Sequence, residues 1–111
     1  MKWTRVLALT FSAILATVSL AAAQDDAQTS MERAKRHYAG RDYRAAITEL
    51  TRTIELDPTR ADALYLLGYS HNMLRQYAEA VEAFGRAFEA DPAFDPRTIY
   101  QARTPGTEEP T

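Results

Sequence analysis

One internal offset constrains the fold of this chain more than its composition does. Slid against itself by 34 residues, the segment 34–58 aligns with 68–92, and eight of the 25 pairs are identical: His37 with His71, Arg41 with Arg75, Tyr43 with Tyr77, Ala46 with Ala80, Arg52 with Arg86, Glu55 with Glu89, Asp57 with Asp91 and Pro58 with Pro92. Chance matching at ordinary composition gives about two. Other pairs keep their character: Ala34 with Gly68, Ile47 with Val81, Leu50 with Phe84 and Ile54 with Phe88. A unit that recurs at a fixed period buries its apolar face by stacking on its neighbour, so the pattern specifies an array.

Each unit reads as two helices. In the second, Leu64, Leu67, Gly68 and His71 recur at spacings of three and four, and so do Tyr77, Ala80, Val81, Phe84, Ala87 and Phe88; each set makes one apolar helical stripe. Thr59 is placed to cap a helix start, Arg75 and Gln76 interrupt the two stripes, and Pro92 closes the second by excluding the residue before it from the helical region. In the first unit Thr29 and Glu32 have capping-box spacing, Gly40 ends a helix and Asp42 can cap the next. The spacing predicts helices over 30–39, 43–56, 60–73 and 77–90. A further start follows, with Asp95 as cap and Pro96 at the first helical position, running to about Arg103. Its expected task is to cover the apolar end of the stack with Ile99, Tyr100 and Ala102.

The 34-residue period, with Leu64, Leu67, Gly68 and His71 followed by Ala80, Phe84 and Pro92, resembles the tetratricopeptide repeat, a helix-turn-helix unit. The resemblance implies an all-α, right-handed α-solenoid of two repeats, 30–58 and 59–92, with a C-terminal capping helix at 93–103. The small residues fit it: Gly68 or Ala34 lets the two helices of a unit approach closely, and Ala46 and Ala80 do so from the second helix. The first copy departs where Ser30 and Arg33 stand against Leu64 and Leu67, as suits a helix with a neighbour on one side only.

The repeats occupy part of the chain. Lys2 and Arg5 precede an uncharged run, 6–24, that ends in Ala21, Ala22 and Ala23: a positive n-region, an apolar h-region and small residues at a cleavage position, the pattern of a secretory signal peptide over 1–23. The alternative is an uncleaved membrane anchor, since the run just reaches spanning length, although four hydroxyl residues dilute it. Cleavage after Ala23 places the protein in the periplasm or outside the cell. It leaves 88 residues with 11 basic against 15 acidic side chains, with 24–29 and 104–111 expected to be disordered. That balance argues against nucleic acid as partner, which calls for a basic face. With no cysteine in the chain, disulfides and thiolate chemistry are excluded.

In the family that the repeats resemble, the first helix of each unit lines a concave groove holding a peptide or a partner protein. The resemblance puts Met31, Lys35, Tyr38, Tyr65, Tyr69, Asn72, Met73, Ile99 and Arg103 on that groove. Tyrosine supplies large contact area at low entropic cost, and Asn72 can hydrogen-bond an extended backbone. The lysine and asparagine clamp for a C-terminal carboxylate, known in the family, is not reproduced, because Tyr69 stands where that clamp wants asparagine. His37 and His71 lie one repeat apart, so stacked helices about 8 to 10 Å apart separate them, too far to share one metal ion; packing is the better reading. No nucleophile elbow or phosphate loop is present, and carboxylates such as Glu79, Glu82 and Glu89 fall on outward faces. No catalytic residue, cofactor or metal is expected. The chain reads as a protein-interaction module without enzymatic activity. The alternative is a structural subunit that self-associates or completes its core within a larger complex, since two repeats fall short of the three usually needed.

Overall fold

The computed structural model describes the backbone of residues 3–101 and the side chains of residues 21–100. The helices are α1 (Trp3–Ala39), α2 (Tyr43–Leu56), α3 (Ala61–Met73), α4 (Tyr77–Ala90) and α5 (Thr98–Gln101), with no strand among the described residues. The first four pack in chain order, α1 on α2, α2 on α3 and α3 on α4, which is the neighbour-to-neighbour arrangement of an α-solenoid.

The boundaries of α2 and α4 coincide with the predicted ones. Asp42 caps α2 by accepting the Ala45 N–H at 3.2 Å. Thr59 does not cap α3: its hydroxyl donates to Asp57 Oδ1 at 3.2 Å, and extended Arg60 takes the N-cap position without a side-chain cap bond. The Arg60 guanidinium instead ties α3 to α1, donating to Asp62 Oδ1 at 2.8 Å and to Gln28 Oε1 at 2.6 Å.

Both intra-unit turns use one device. Arg41 and Arg75 adopt left-handed φ values of 62° and 60°. Asp42 N–H reaches His37 O at 2.9 Å while Arg41 N–H reaches Tyr38 O at 3.0 Å; Gln76 N–H reaches His71 O at 2.9 Å while Arg75 N–H reaches Asn72 O at 3.0 Å. These paired bonds form a Schellman motif that satisfies the last carbonyls of α1 and α3. The identity of Arg41 with Arg75 thus marks the left-handed position. Gly40, predicted as the terminator, precedes it by one residue.

α1 begins earlier than predicted. The Thr29 and Glu32 box does not form, because the Thr29 hydroxyl donates to Asp25 O at 2.9 Å, four residues back, as a threonine inside a helix does. Residues 24–29, expected to be disordered, are helical. A capping residue starts a helix only where the preceding chain cannot continue one, and no glycine or proline occurs before Gly40. Ala27 and Ser30 are buried along with Met31 and Ala34. Whether the apolar run is a leader or an anchor falls mainly on residues 1–20, whose side chains lie outside the described residues.

Within each unit one contact sets how closely the helices approach. Gly68 faces the Phe84 ring so tightly that a Cβ would lie 2.5 Å from Cε1. The equivalent pair in the first unit is Ala34 with Leu50, both fully buried. A smaller residue opposes a larger one in the second unit, so the two contacts fill similar space.

The C-terminal segment departs most from expectation. Described helix there is one turn, Thr98–Gln101, and not a helix from Asp95 to Arg103. It does not cover the end of the stack. Phe94 stacks on Tyr65 of α3 with ring centroids 5.5 Å apart, Ile99 is buried in the core, and Tyr100 packs on Tyr38 of α1 at 6.1 Å. Residues 94–100 therefore run across the face shared by α1 and α3. On α4, Tyr77, Val81 and Phe88 remain 58%, 71% and 60% exposed. Register explains the difference. A third unit would place Arg97, Tyr100 and Gln101 where α3 carries Ala63, Leu66 and Leu67, a set too polar to stack on the α4 stripe.

Candidate functional site

The groove predicted from sequence is an aromatic cradle. Tyr38 on α1 and Tyr65 and Tyr69 on α3 are half-buried. Tyr38 meets Tyr43 edge-on at 5.3 Å; Phe84 braces Tyr69 edge-on at 5.1 Å and Tyr65 at 6.2 Å. These pairs fix the ring orientations, each worth about 0.5–1.5 kcal/mol beyond its area. Phe94, Ile99 and Tyr100 of the same chain lie in this cradle. Burial pushes the Tyr100 hydroxyl well above the ordinary tyrosine range, with Tyr38, Tyr43 and Tyr69 adding to the effect. Tyr38 is raised too, again chiefly by burial. The cradle thus favours the neutral form of the Tyr38 and Tyr100 phenols.

The remaining predicted residues separate into distinct groups. Met31 is fully buried and belongs to the core, so it offers nothing to a partner. Ile99, 5% exposed, is part of the core cluster against which Tyr38 and Tyr65 pack. Lys35 is partly buried and pairs with Glu32 at 3.4 Å along α1. Asn72 and Met73 are exposed at the end of α3, free to meet a ligand entering the cradle from that side. Arg103 lies outside the described residues. His71 Nδ1 bonds Gln76 Oε1 at 2.7 Å, so this ring helps to fix the turn into α4.

Sequence reasoning missed Phe94 as an occupant and Tyr43 and Phe84 as braces. Phe94 stands 34 residues after Arg60, so a ring replaces the arginine that ties α3 to α1 in the preceding unit. Asp95 holds the approach to α5 in shape. Its carboxylate accepts the Arg97 N–H at 3.0 Å and the Arg97 guanidinium at 2.7 Å, and the guanidinium bonds hold that carboxyl below the usual carboxylate range. Two open depressions lie away from the cradle; one of about 390 Å³ sits among Thr51, Ile54, Pro58, Leu67 and Arg86.

A family model described as tetratricopeptide repeat matches residues 31–95, more than half of the chain. No curated protein matches the chain.

Proposed function

Since the chain belongs to the tetratricopeptide repeat family, whose members generally mediate protein–protein interaction, we propose that it is a non-enzymatic adaptor of the bacterial envelope that holds a segment of a partner protein in its groove. One observation carries this reading: the tyrosine cradle already holds a peptide segment, Phe94 to Tyr100, through aromatic and aliphatic side chains. A partner with similar side chains competes for the same rings. The residues before the repeats support the location, because Lys2 and Arg5, the apolar run and Ala21 to Ala23 have the order of a secretory leader; the mature protein then works in the periplasm or outside the cell.

The test uses the full chain carrying Phe94→Ala and Tyr100→Ala, which loosen the resident segment, and a labelled peptide of residues 92–103 as the probe. The peptide binds this variant more tightly than it binds the unmodified chain, and adding Tyr65→Ala removes the gain. Equal binding to all three proteins, with unchanged helical content, overturns the reading.

A second reading has its own observation. The bare stripe on α4 favours a structural subunit that completes its core against another polypeptide.

A further inference from the structure

The repeat itself shows what kind of partner fits α4. Tyr77, Val81 and Phe88 are the 34-residue equivalents of Tyr43, Ile47 and Ile54 on α2. On α2 that stripe is covered: α3 packs on this helix and leaves Ile54 8% exposed, while Ile47 is partly buried and Tyr43 is partly buried against Tyr38 of α1. On α4 the same stripe is open, and around Gly85 a Cβ would meet nothing within 4 Å. Around Ile54 and Phe88 the difference is the missing next helix, whereas Tyr77 also lacks the ring that Tyr38 lends Tyr43, since Asn72 stands in its place.

The covering helix has a readable pattern. By helical spacing the side of α3 turned away from Gly68, and so toward α2, carries Ala63, Leu66, Leu67 and Ser70, all buried; Leu67 lies beside Thr51 and Ile54 of α2. A helix with small residues flanking two adjacent leucines is therefore complementary to such a stripe. This chain has no second copy of it to offer. The matching side of α1 carries Thr29, Glu32, Arg33 and Arg36, all exposed, so head-to-tail stacking of a second copy would place charged groups against Val81 and Phe88. A two-fold α4 to α4 pairing is disfavoured too. Exposed Glu82 and Glu89 lie seven residues apart along one edge of the stripe with Arg86 between them, and a two-fold axis would bring four carboxylates against two guanidiniums to one side, a net negative seam.

We propose that the outer stripe of α4 docks an amphipathic helix of a different protein, one that presents a small-x-x-Leu-Leu-x-x-small face with basic residues along the edge that meets Glu82 and Glu89. Occupancy of this stripe makes the chain a subunit of a larger assembly, as in the second reading, and is independent of what the groove holds. The docked helix takes the place of a third repeat and closes the core.

The probe is a peptide copying residues 59–75, held helical by a side-chain staple on its Tyr65 and Tyr69 side, titrated against the full chain. It binds, while a stapled copy of residues 25–41 binds at least about tenfold more weakly. Val81→Glu weakens the first peptide at least about tenfold and leaves the melting of the protein unchanged, because Val81 is 71% exposed. Phe94→Ala leaves this binding as it was, which separates the stripe from the groove. Absence of binding at millimolar peptide, or undiminished binding by Val81→Glu, overturns the proposal. So does a dimer in sedimentation that Val81→Glu dissociates, since a second copy would then own the stripe.

Discussion

The contact between Gly68 and Phe84 allows a prediction whose sign depends on the background. In Gly68→Ala the new methyl lies 2.5 Å from the Phe84 ring, against an ordinary carbon contact of about 3.5–4.0 Å. The ring has little room to retreat, because Tyr69 and Tyr65 stand at 5.1 Å and 6.2 Å on it. Overpacking of this kind costs about 1–3 kcal/mol, while alanine regains about 1 kcal/mol of helix propensity over glycine. The net is a loss of about 1 kcal/mol, which lowers Tm by about 4–8 °C for a domain of this size. In a Phe84→Leu background the same substitution recreates the Ala34 and Leu50 pair of the first unit, and the propensity gain is no longer opposed. There Gly68→Ala stabilises by up to about 1 kcal/mol. Urea unfolding followed by circular dichroism on the four proteins of the cycle measures both effects. If Gly68→Ala changes stability in the same direction in both backgrounds, the idea that a small-against-large exchange sets the helix approach is wrong.

Three further outcomes follow from the turns, the caps and the phenols. Arg41→Gly and Arg75→Gly relieve a left-handed residue that costs about 1–2 kcal/mol, offset by about 0.5–1 kcal/mol of glycine entropy, so each raises the urea midpoint modestly; a lowered midpoint would show that the arginine side chains matter more than the backbone. Asp42→Ala costs about 1 kcal/mol through loss of the α2 cap, whereas Thr29→Ala changes stability by less than about 0.5 kcal/mol, and equal losses in thermal melts would restore the capping box at Thr29. Tyr38 and Tyr100 have raised pKa values against a reference of 10.0. Above pH 10 the unfolded chain releases those protons while the folded chain keeps them, so their contribution is whole below that pH and is lost as pH rises beyond it. In urea unfolding repeated above pH 10, Tyr100→Phe flattens the alkaline loss of stability; an undiminished loss contradicts the raised phenol of Tyr100.

The four-helix array was legible because its signals are periodic and local. The repeat aligned Tyr43 with Tyr77 and Pro58 with Pro92, and apolar spacing then placed α2 and α4 without help from tertiary contacts. The start of α1 was not legible, since Thr29 can either cap a helix or bond back to Asp25 within one, and the choice depends on the helix-compatible residues before it. The groove tyrosines were legible through the repeat resemblance. Burial of Met31 was not, because the resemblance assigns a position to a face without measuring how deeply the neighbouring helix covers it. The path of residues 94–100 carried no periodic signal. Phe94, Ile99 and Tyr100 fall out of register with α3, and where they go depends on aromatic surface contributed by two separate helices.

The claim that this groove serves a partner is tested most directly by a photo-crosslinking residue placed at exposed Asn72 in the full chain, expressed in its native cell. The account predicts a discrete protein adduct that increases when Phe94→Ala and Tyr100→Ala free the cradle and disappears with Tyr65→Ala. An adduct indifferent to all three substitutions, or adducts formed only from a crosslinker on the far side of the molecule at Arg52, would contradict it.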